Sequence, residues 1–201
     1  MILTSACSKS SFDAKGYTEG LMVLMTKQDT TPIVKAGLPQ SEADALKNEF
    51  FGLVEEVILS EFESFDISNN TKEKWILLMS ELLAKSKYSV NEAREKSGED
   101  GYLVDVTINP IMYSKIVEDE AFLSELENLT LKAYQKGEIN DDTLFDYMIG
   151  LMADKTLGKL DQLEYDQPST ITIEYVKDKD GMYTIKDEYS IGAEIGSTLF
   201  K

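Results

Sequence analysis

KYSVNEAREKSGEDGYLVDVTINP, residues 87–110, carries the clearest structural signal in the chain. Apolar residues alternate with polar ones at both ends of this segment, and the turn sequence Gly98-Glu99-Asp100-Gly101 lies between them. Alternation with a period of two is typical of a strand with one buried face, so two such runs around a Gly/Asp turn predict a β-hairpin. The alternating residues are Tyr88, Val90, Tyr102, Val104, Val106 and Ile108. Asn109-Pro110 ends the second strand, because proline has no N–H to continue a ladder.

Helical spacing precedes and follows this hairpin. Apolar residues recur at three- and four-residue intervals in five segments, which we predict to be helices. They are residues 12–27, 41–62, a segment that begins with Thr71 as its N-cap, 113–136 and 141–163. A second alternating pair, 170–176 and 182–187, flanks the turn Lys177-Asp178-Lys179-Asp180-Gly181 and predicts a second hairpin.

These elements predict an α+β fold. We expect about five helices packed on a roughly four-stranded antiparallel sheet made of two hairpins, in a single domain over residues 12–201. A curved sheet wrapped by helices would be similar to the cone-shaped nuclear-transport-factor-like or cystatin-like folds, by analogy alone. The tail after Ser190 has Ile191, Ile195 and Leu199 at four-residue spacing, broken by two glycines. Two interpretations remain for it: a short helix on the sheet, or an end that orders on meeting a partner.

The only cysteine, Cys7, follows Leu3-Thr4-Ser5-Ala6. This run resembles the lipobox of bacterial lipoproteins, in which the signal peptide is cut before a cysteine that carries a diacylglyceryl group. Only six residues precede Cys7, fewer than the roughly 7–15 apolar residues of a signal peptide, so we expect the rest of it upstream of Met1. Residues 1–11 would then be the processed start and a flexible tether, and the domain would stand on the extracellular face of the cytoplasmic membrane. The alternative is a free thiol in a disordered tail.

Composition excludes several classes of function. Thirty-seven acidic residues against 20 basic ones give a formal charge of −17, which would repel nucleic acid, so we expect no nucleic-acid partner. The chain has no histidine, which removes Ser-His-Asp and Cys-His catalysis and the usual zinc ligand sets. Neither a Gly-x-Ser-x-Gly nor a phosphate-loop motif occurs. We therefore predict no enzyme activity, no cofactor and no metal.

Three stretches carry a family resemblance: the opening helix after Cys7, the helix start Ser41-Glu42-Ala43-Asp44 and, above all, residues 86–110. The pattern KYxVxEA…DGYxVxVxxxP resembles a family of uncharacterised lipoproteins of Firmicutes, of clostridial type, which contain an α+β domain of unknown function. The resemblance covers most of residues 12–113. It implies a lipid anchor at Cys7 and offers no catalytic residues to carry over.

Three residues are candidates for ligand binding. Asp105 lies on the opposite side of its strand from Val104 and Val106, where it could line a pocket or simply face solvent. Tyr102 and Trp75 could stack on a glycan or peptide, although aromatic residues also serve as core. Asp178-Lys179-Asp180-Gly181 suits a hairpin turn better than a calcium loop, because Val176 stands at the first ligand position.

From these residues we predict a membrane-anchored, non-catalytic lipoprotein that binds a small ligand, a peptide or an envelope component. The alternative is a carboxylate-dependent enzyme (a lyase, isomerase or hydrolase) with a sheet-lined pocket around Asp105.

Overall fold

The computed structural model describes residues 12–97 and 100–201, and backbone contacts group the chain into two compact units. One, which we call the sheet unit, comprises Met1–Gly52, Ser86–Pro110 and Asp166–Phe200. The other, the helical unit, comprises Leu53–Lys85, Ile111–Tyr165 and Lys201. Each unit is described by itself below.

The sheet unit contains all the strands described. Its elements are α1 (Ala14–Lys27), α2 (Thr31–Lys35), the first part of α3 (Gln40–Ser60), β1 (Lys87–Val90), β2 (Arg94–Glu95), β3 (Gly101–Asn109), β4 (Ser169–Lys177), β5 (Tyr183–Ile185) and α8 (Glu188–Leu199). A short 3₁₀ turn, Leu160–Gln162, precedes β4 in the chain and belongs to the helical unit.

The sheet is antiparallel, with strand order β1-β3-β4-β5, and β2 pairs with β3 as a fifth strand. β1 pairs with the second half of β3, from Lys87↔Asn109 to Val90↔Val106, and β2 pairs with its first half, Arg94↔Leu103. The predicted first hairpin is therefore confirmed, but its first strand is interrupted over Asn91-Glu92-Ala93. This interruption is the reason for five strands where the sequence predicts four.

One face of the sheet is buried, and we call it the inner face. Along β3 and β4 the buried side chains alternate with partly or fully exposed ones. The buried set is Val104, Val106, Ile108, Ile171, Ile173 and Tyr175. Helix α1 contacts β1 and β3, and α8 contacts β3 and β4. Because α8 buries Ile195 and Leu199 to 1% exposure, the tail after Ser190 is a helix with a packed face.

The helical unit contains the second part of α3 and four further helices. These are α4 (Asn69–Ala84), α5 (Ser114–Val117), α6 (Glu120–Gln135) and α7 (Leu144–Leu157). Ile116, Phe122 and Leu126 form a buried cluster, and Leu151, Met152 and Leu163 pack against it. The structure is thus α+β, as predicted, and its described residues form eight helices and an antiparallel sheet.

Helix ends differ from the sequence-based prediction where a polar side chain competes for the backbone. The predicted helix 113–136 is split, because the Asp119 carboxylate accepts a 2.8 Å hydrogen bond from the N–H of Phe122 and begins α6. Ser68, rather than Thr71, caps α4. Asn140 accepts hydrogen bonds from two backbone N–H groups, so α7 begins only at Leu144. Among the helices described, none has the length and apolarity needed to cross a bilayer.

Candidate binding face of the sheet

The side of the sheet opposite the core is open and polar, and we call it the outer face. Its positions on β3 and β4 follow from the alternation with buried neighbours: Thr170 and Thr172 are exposed, while Ile171 and Ile173 between them are buried. Thr107 and Thr170 are directly paired across β3 and β4, and their hydroxyl oxygens are 3.2 Å apart. The face therefore presents hydrogen-bonding groups to its surroundings.

Asp105 lies near the centre of this outer face. Arg94 Nη2 donates to both of its carboxylate oxygens, at 2.7 Å each, and the Thr172 hydroxyl donates to Oδ1 at 2.8 Å. The Asp105 side chain is 23% exposed and that of Arg94 is 57% exposed. Both oxygens thus accept from a cation on β2, and Oδ1 also accepts from a hydroxyl on β4, which is the arrangement of a cross-strand ion pair.

A second charged group lies two residues further along β4. Lys96 Nζ is 2.6 Å from Glu174 Oε1, and Lys186 Nζ is 3.3 Å from Oε2 of the same carboxylate. The hydrogen bond from Lys96, with a smaller contribution from Lys186, holds the pKa of Glu174 below its usual value. One carboxylate is therefore shared by two ammonium groups, one from Lys96, which directly follows β2, and one from Lys186, which directly follows β5.

The described part of the outer face carries more positive than negative charge. Its cations are Lys87, Arg94, Lys96 and Lys186, and its carboxylates are Asp105 and Glu174. Lys87 belongs to this face because it is in register with Asn109, whereas the next pair, Tyr88 with Ile108, points to the core. In a chain of net charge −17, a local excess of cations marks a surface that attracts anions. At physiological salt, exposed charges more than about 8 Å apart are largely screened from one another, so an anion near this face interacts mainly with the local cations rather than with the net charge of the chain.

Tyr102 lies on the inner face, on the other side of β3 from Asp105. It belongs to a cluster of five aromatic rings with centroids 4.7–6.0 Å apart, in which Phe12 stacks on Tyr183 at 4.7 Å. The members are Phe12, Tyr17, Tyr102, Tyr175 and Tyr183. Tyr102 thus packs among other side chains at the edge of the core, and it does not share a face with Asp105.

Trp75 belongs to the helical unit, where it lies on α4. Its indole N–H donates a 3.2 Å hydrogen bond to the carbonyl of Ile149 on α7, and its ring is 5.7 Å from that of Phe62. Both contacts stabilise the packing of this unit. The structure therefore does not place the three candidate residues in one site: Asp105 alone belongs to the outer face.

Arg94, Lys96, Glu174 and Lys186 are functional candidates that sequence reasoning missed. Glu174 alternates with buried Ile173 and Tyr175, so its position on the outer face was readable from the strand pattern. Arg94 and Lys96 were not, because the interruption after Val90 resets the alternation before β2.

The remaining acidic candidates form turns. Asp178 Oδ1 accepts hydrogen bonds from the N–H groups of Asp180 and Met182, and Gly181 takes a positive φ of 84°, as the predicted hairpin turn requires. Within residues 12–97 and 100–201, no three His, Cys, Asp or Glu side chains come together as a metal site would need. Cys7, the predicted lipid anchor, lies outside the described residues.

The fold and this face define an α+β protein with a five-stranded antiparallel sheet that is open on one side. No protein-family model matches the sequence, and no curated protein sequence matches it either. Among solved structures, the chain is similar to ycdA from Bacillus subtilis subsp. subtilis str. 168, a crystal structure provisionally described as that of a lipoprotein. The TM-score is 0.62 at 15% sequence identity, and the match covers 94% of this chain and 56% of that one. The likeness shows a shared fold, and the chain spans little more than half the length of this neighbour.

Proposed function

We propose that this protein is a lipoprotein, anchored through Cys7 to the outer surface of the cytoplasmic membrane, whose sheet unit binds an anionic ligand without catalysis. The observation that carries the binding role is the excess of cations on the outer face of a strongly acidic protein.

The anchor is supported by two independent features. Leu3-Thr4-Ser5-Ala6-Cys7 has the small and apolar residues of a lipobox, and the polar run Ser8-Lys9-Ser10-Ser11 follows it. The structural neighbour that shares the fold over 94% of the chain is described as a lipoprotein. A domain tethered to a membrane would meet ligands of the cell envelope, and many of these carry phosphate or carboxylate groups.

The geometry around Asp105 supports a binding role over a catalytic one. A general base needs a carboxylate oxygen that can approach the proton it removes. Both oxygens of Asp105 instead accept hydrogen bonds from Arg94, and one also accepts from Thr172. The cations nevertheless keep part of their surface exposed, with Arg94 at 57% and Lys186 at 48% side-chain exposure. Guanidinium and ammonium groups so placed suit phosphate or carboxylate groups of a ligand.

The anchor is tested by mass spectrometry of the N-terminal peptide of the native protein, taken from the membrane fraction of its host. We expect a mature chain that begins at a diacylglyceryl-modified Cys7, and we expect Cys7→Ala to move the folded protein into the soluble fraction. An unmodified chain that retains Met1 would contradict the anchor and leave the binding role standing.

The binding face is tested by titrating the whole chain with inorganic polyphosphate, a linear polyanion, while recording backbone amide NMR spectra. We expect shifts at Thr107, Thr170 and Thr172, and at least several-fold weaker binding for Lys186→Ala. Lys136→Ala in the helical unit is the matched control, because it removes the same charge from an exposed lysine that is also near a glutamate, 3.5 Å away. If both variants weakened polyphosphate binding equally, the loss would reflect only the change in net charge, and the proposed binding face would be wrong.

A further inference from the structure

Exposed large hydrophobic side chains are concentrated in the helical unit. Among the described residues, nine such side chains are exposed, and eight of them belong to this unit: Leu53, Val57, Phe65, Leu77, Leu123, Leu131, Tyr134 and Phe145. Single exposed apolar residues are ordinary on a protein surface, whereas several on one helix face indicate an interaction site.

Helix α6 carries three of them on one side. Leu123, Leu131 and Tyr134 are 44%, 51% and 43% exposed, while the helix buries Phe122, Leu126, Thr130 and Ala133 on its core side. At 100° per residue, Leu123, Leu131 and Tyr134 lie along one stripe, with Glu127 between them at i+4 from Leu123 and i−4 from Leu131. The stripe from Leu123 to Tyr134 is about 17 Å long, which is three turns of helix.

The charge on this stripe is entirely acidic. Glu120 precedes Leu123 by three residues, and both Glu120 and Glu127 are exposed and form no ion pair within the described part of the chain. Tyr134 donates a 2.9 Å hydrogen bond to Asp141, which adds a third carboxylate at one end. Lys132 of α6 and Lys136, which caps its C-terminus, lie on a different side from the stripe, because they are one and five residues beyond Leu131.

This charge pattern distinguishes between possible occupants. If two copies of α6 packed antiparallel about a two-fold axis near the middle of the stripe, the two Glu127 carboxylates would face each other, and like charges at an apolar contact are destabilising. A helix with lysine or arginine beside its apolar residues would instead place cations opposite Glu120 and Glu127.

From this pattern we infer that the stripe of α6 formed by Glu120, Leu123, Glu127, Leu131 and Tyr134 is a docking surface for a basic amphipathic helix of a partner protein. The partner helix lays apolar residues at i, i+4 and i+7 against Leu123, Leu131 and Tyr134, and its basic residues pair with the two glutamates. This inference concerns the helical unit and does not rest on the anion-binding role proposed for the sheet unit.

The test uses a synthetic amphipathic peptide of leucine, alanine and lysine, with leucines on one face and lysines flanking them. Titrated into the whole chain by calorimetry and NMR, it is expected to shift amides of α6 and to bind less tightly as salt increases. A peptide of the same design with glutamate in place of lysine should not bind. Absence of binding by the lysine peptide, or amide shifts confined to other helices, would overturn the inference.

Matched variants distinguish binding at this surface from non-specific hydrophobic binding. Leu131→Ser and Leu77→Ser remove leucines of the same exposure, 51%, from α6 and α4 of the same unit. We expect about tenfold weaker binding for Leu131→Ser and none of that loss for Leu77→Ser. Glu127→Lys should abolish the preference for the lysine peptide. Equal losses for both leucine variants, or an unchanged preference in Glu127→Lys, would contradict the proposed surface.

Discussion

The hydroxyl of Tyr175 on β4 lies 2.7 Å from the hydroxyl of Thr18 on α1, and both side chains are buried. Thr18 also donates a 2.8 Å hydrogen bond to the carbonyl of Ala14, which uses its only hydroxyl proton. Tyr175 must therefore be the donor in the pair, and burial, the larger effect, raises the pKa of its phenol. This bond joins the first helix to a central strand of the sheet.

We expect the two ends of this bond to respond unequally to substitution. Tyr175→Phe removes the donor and leaves Thr18 bonded to Ala14, so the loss should be about 1 kcal/mol. Thr18→Val leaves a buried phenol without its acceptor and should cost more, within about 1–3 kcal/mol. The midpoint of urea unfolding for each variant measures the difference. If Thr18→Val were the milder change, the assignment of Tyr175 as donor would be wrong.

Phe12, the first described residue, packs in the core of the sheet unit. It is 6% exposed and packs against four other aromatic rings, including Tyr183 at 4.7 Å. Phe12→Ala should lower the free energy of unfolding by about 3–5 kcal/mol, because it leaves a cavity among these rings. Tyr189→Ala is the control, since that side chain is 93% exposed and its removal should change stability by less than about 0.5 kcal/mol. Similar losses for the two variants would contradict the packing described.

Gly20 allows α1 and α2 to approach closely. A Cβ at this position would lie 2.5 Å from the backbone N and Cα of Ile33, which cannot move without shifting α2. Gly20→Ala should therefore destabilise the protein by about 1–3 kcal/mol, despite the higher helix propensity of alanine. Gly196→Ala in α8 meets nothing within 4 Å and should stabilise by up to about 1 kcal/mol. The unfolding temperatures of the two variants check that their changes in stability have opposite signs. If both substitutions were stabilising, α1 and α2 would be further apart than described.

The contribution of Glu174 to the stability of the protein depends on pH. Because hydrogen bonds from Lys96 and Lys186 lower its pKa in the folded state, its contribution to stability is complete above the ordinary glutamate pKa, about 4.3. That contribution is lost as the pH falls through the lower folded value. Lys96→Met should raise the pKa of Glu174 towards the ordinary value, as measured by carboxyl NMR titration. The pKa of Glu125, which Lys155 lowers, is the internal control and should not move; an unchanged Glu174 would contradict the contact.

Local signals were sufficient to predict most elements of the fold. The alternation in residues 102–108 and 170–176 predicted β3 and β4, which are paired in register from Gly101↔Val176 to Ile108↔Ser169. Periodic apolar residues likewise predicted α1, α3 and α4. Errors occurred where a short polar side chain or a proline set a boundary: Pro32 lies in the first turn of α2, a short helix that apolar periodicity did not predict. Such boundaries depend on single hydrogen bonds, to which apolar periodicity is insensitive.

The candidate surfaces were harder to predict from the sequence than the elements of the fold. Asp105 was correctly placed on the side of β3 away from Val104 and Val106, because strand alternation is a local property. Its partner Arg94 could not be identified, since their contact depends on how β2 pairs with β3 after an interruption of the strand. The exposure of Leu131 and Tyr134 was also hidden, because an apolar residue in a helix is equally compatible with core and surface until neighbouring helices are in place.

The sequence by itself determined the class of fold, the polarity of each strand face and the acidic character of the chain, because periodicity, turn residues and charge are properties of neighbours along the chain. Only the tertiary structure decided which charges meet on the outer face and which apolar side chains of α6 remain uncovered. Those outcomes depend on contacts between residues far apart in sequence, such as Lys96 with Glu174 and Thr18 with Tyr175, which are formed by packing alone.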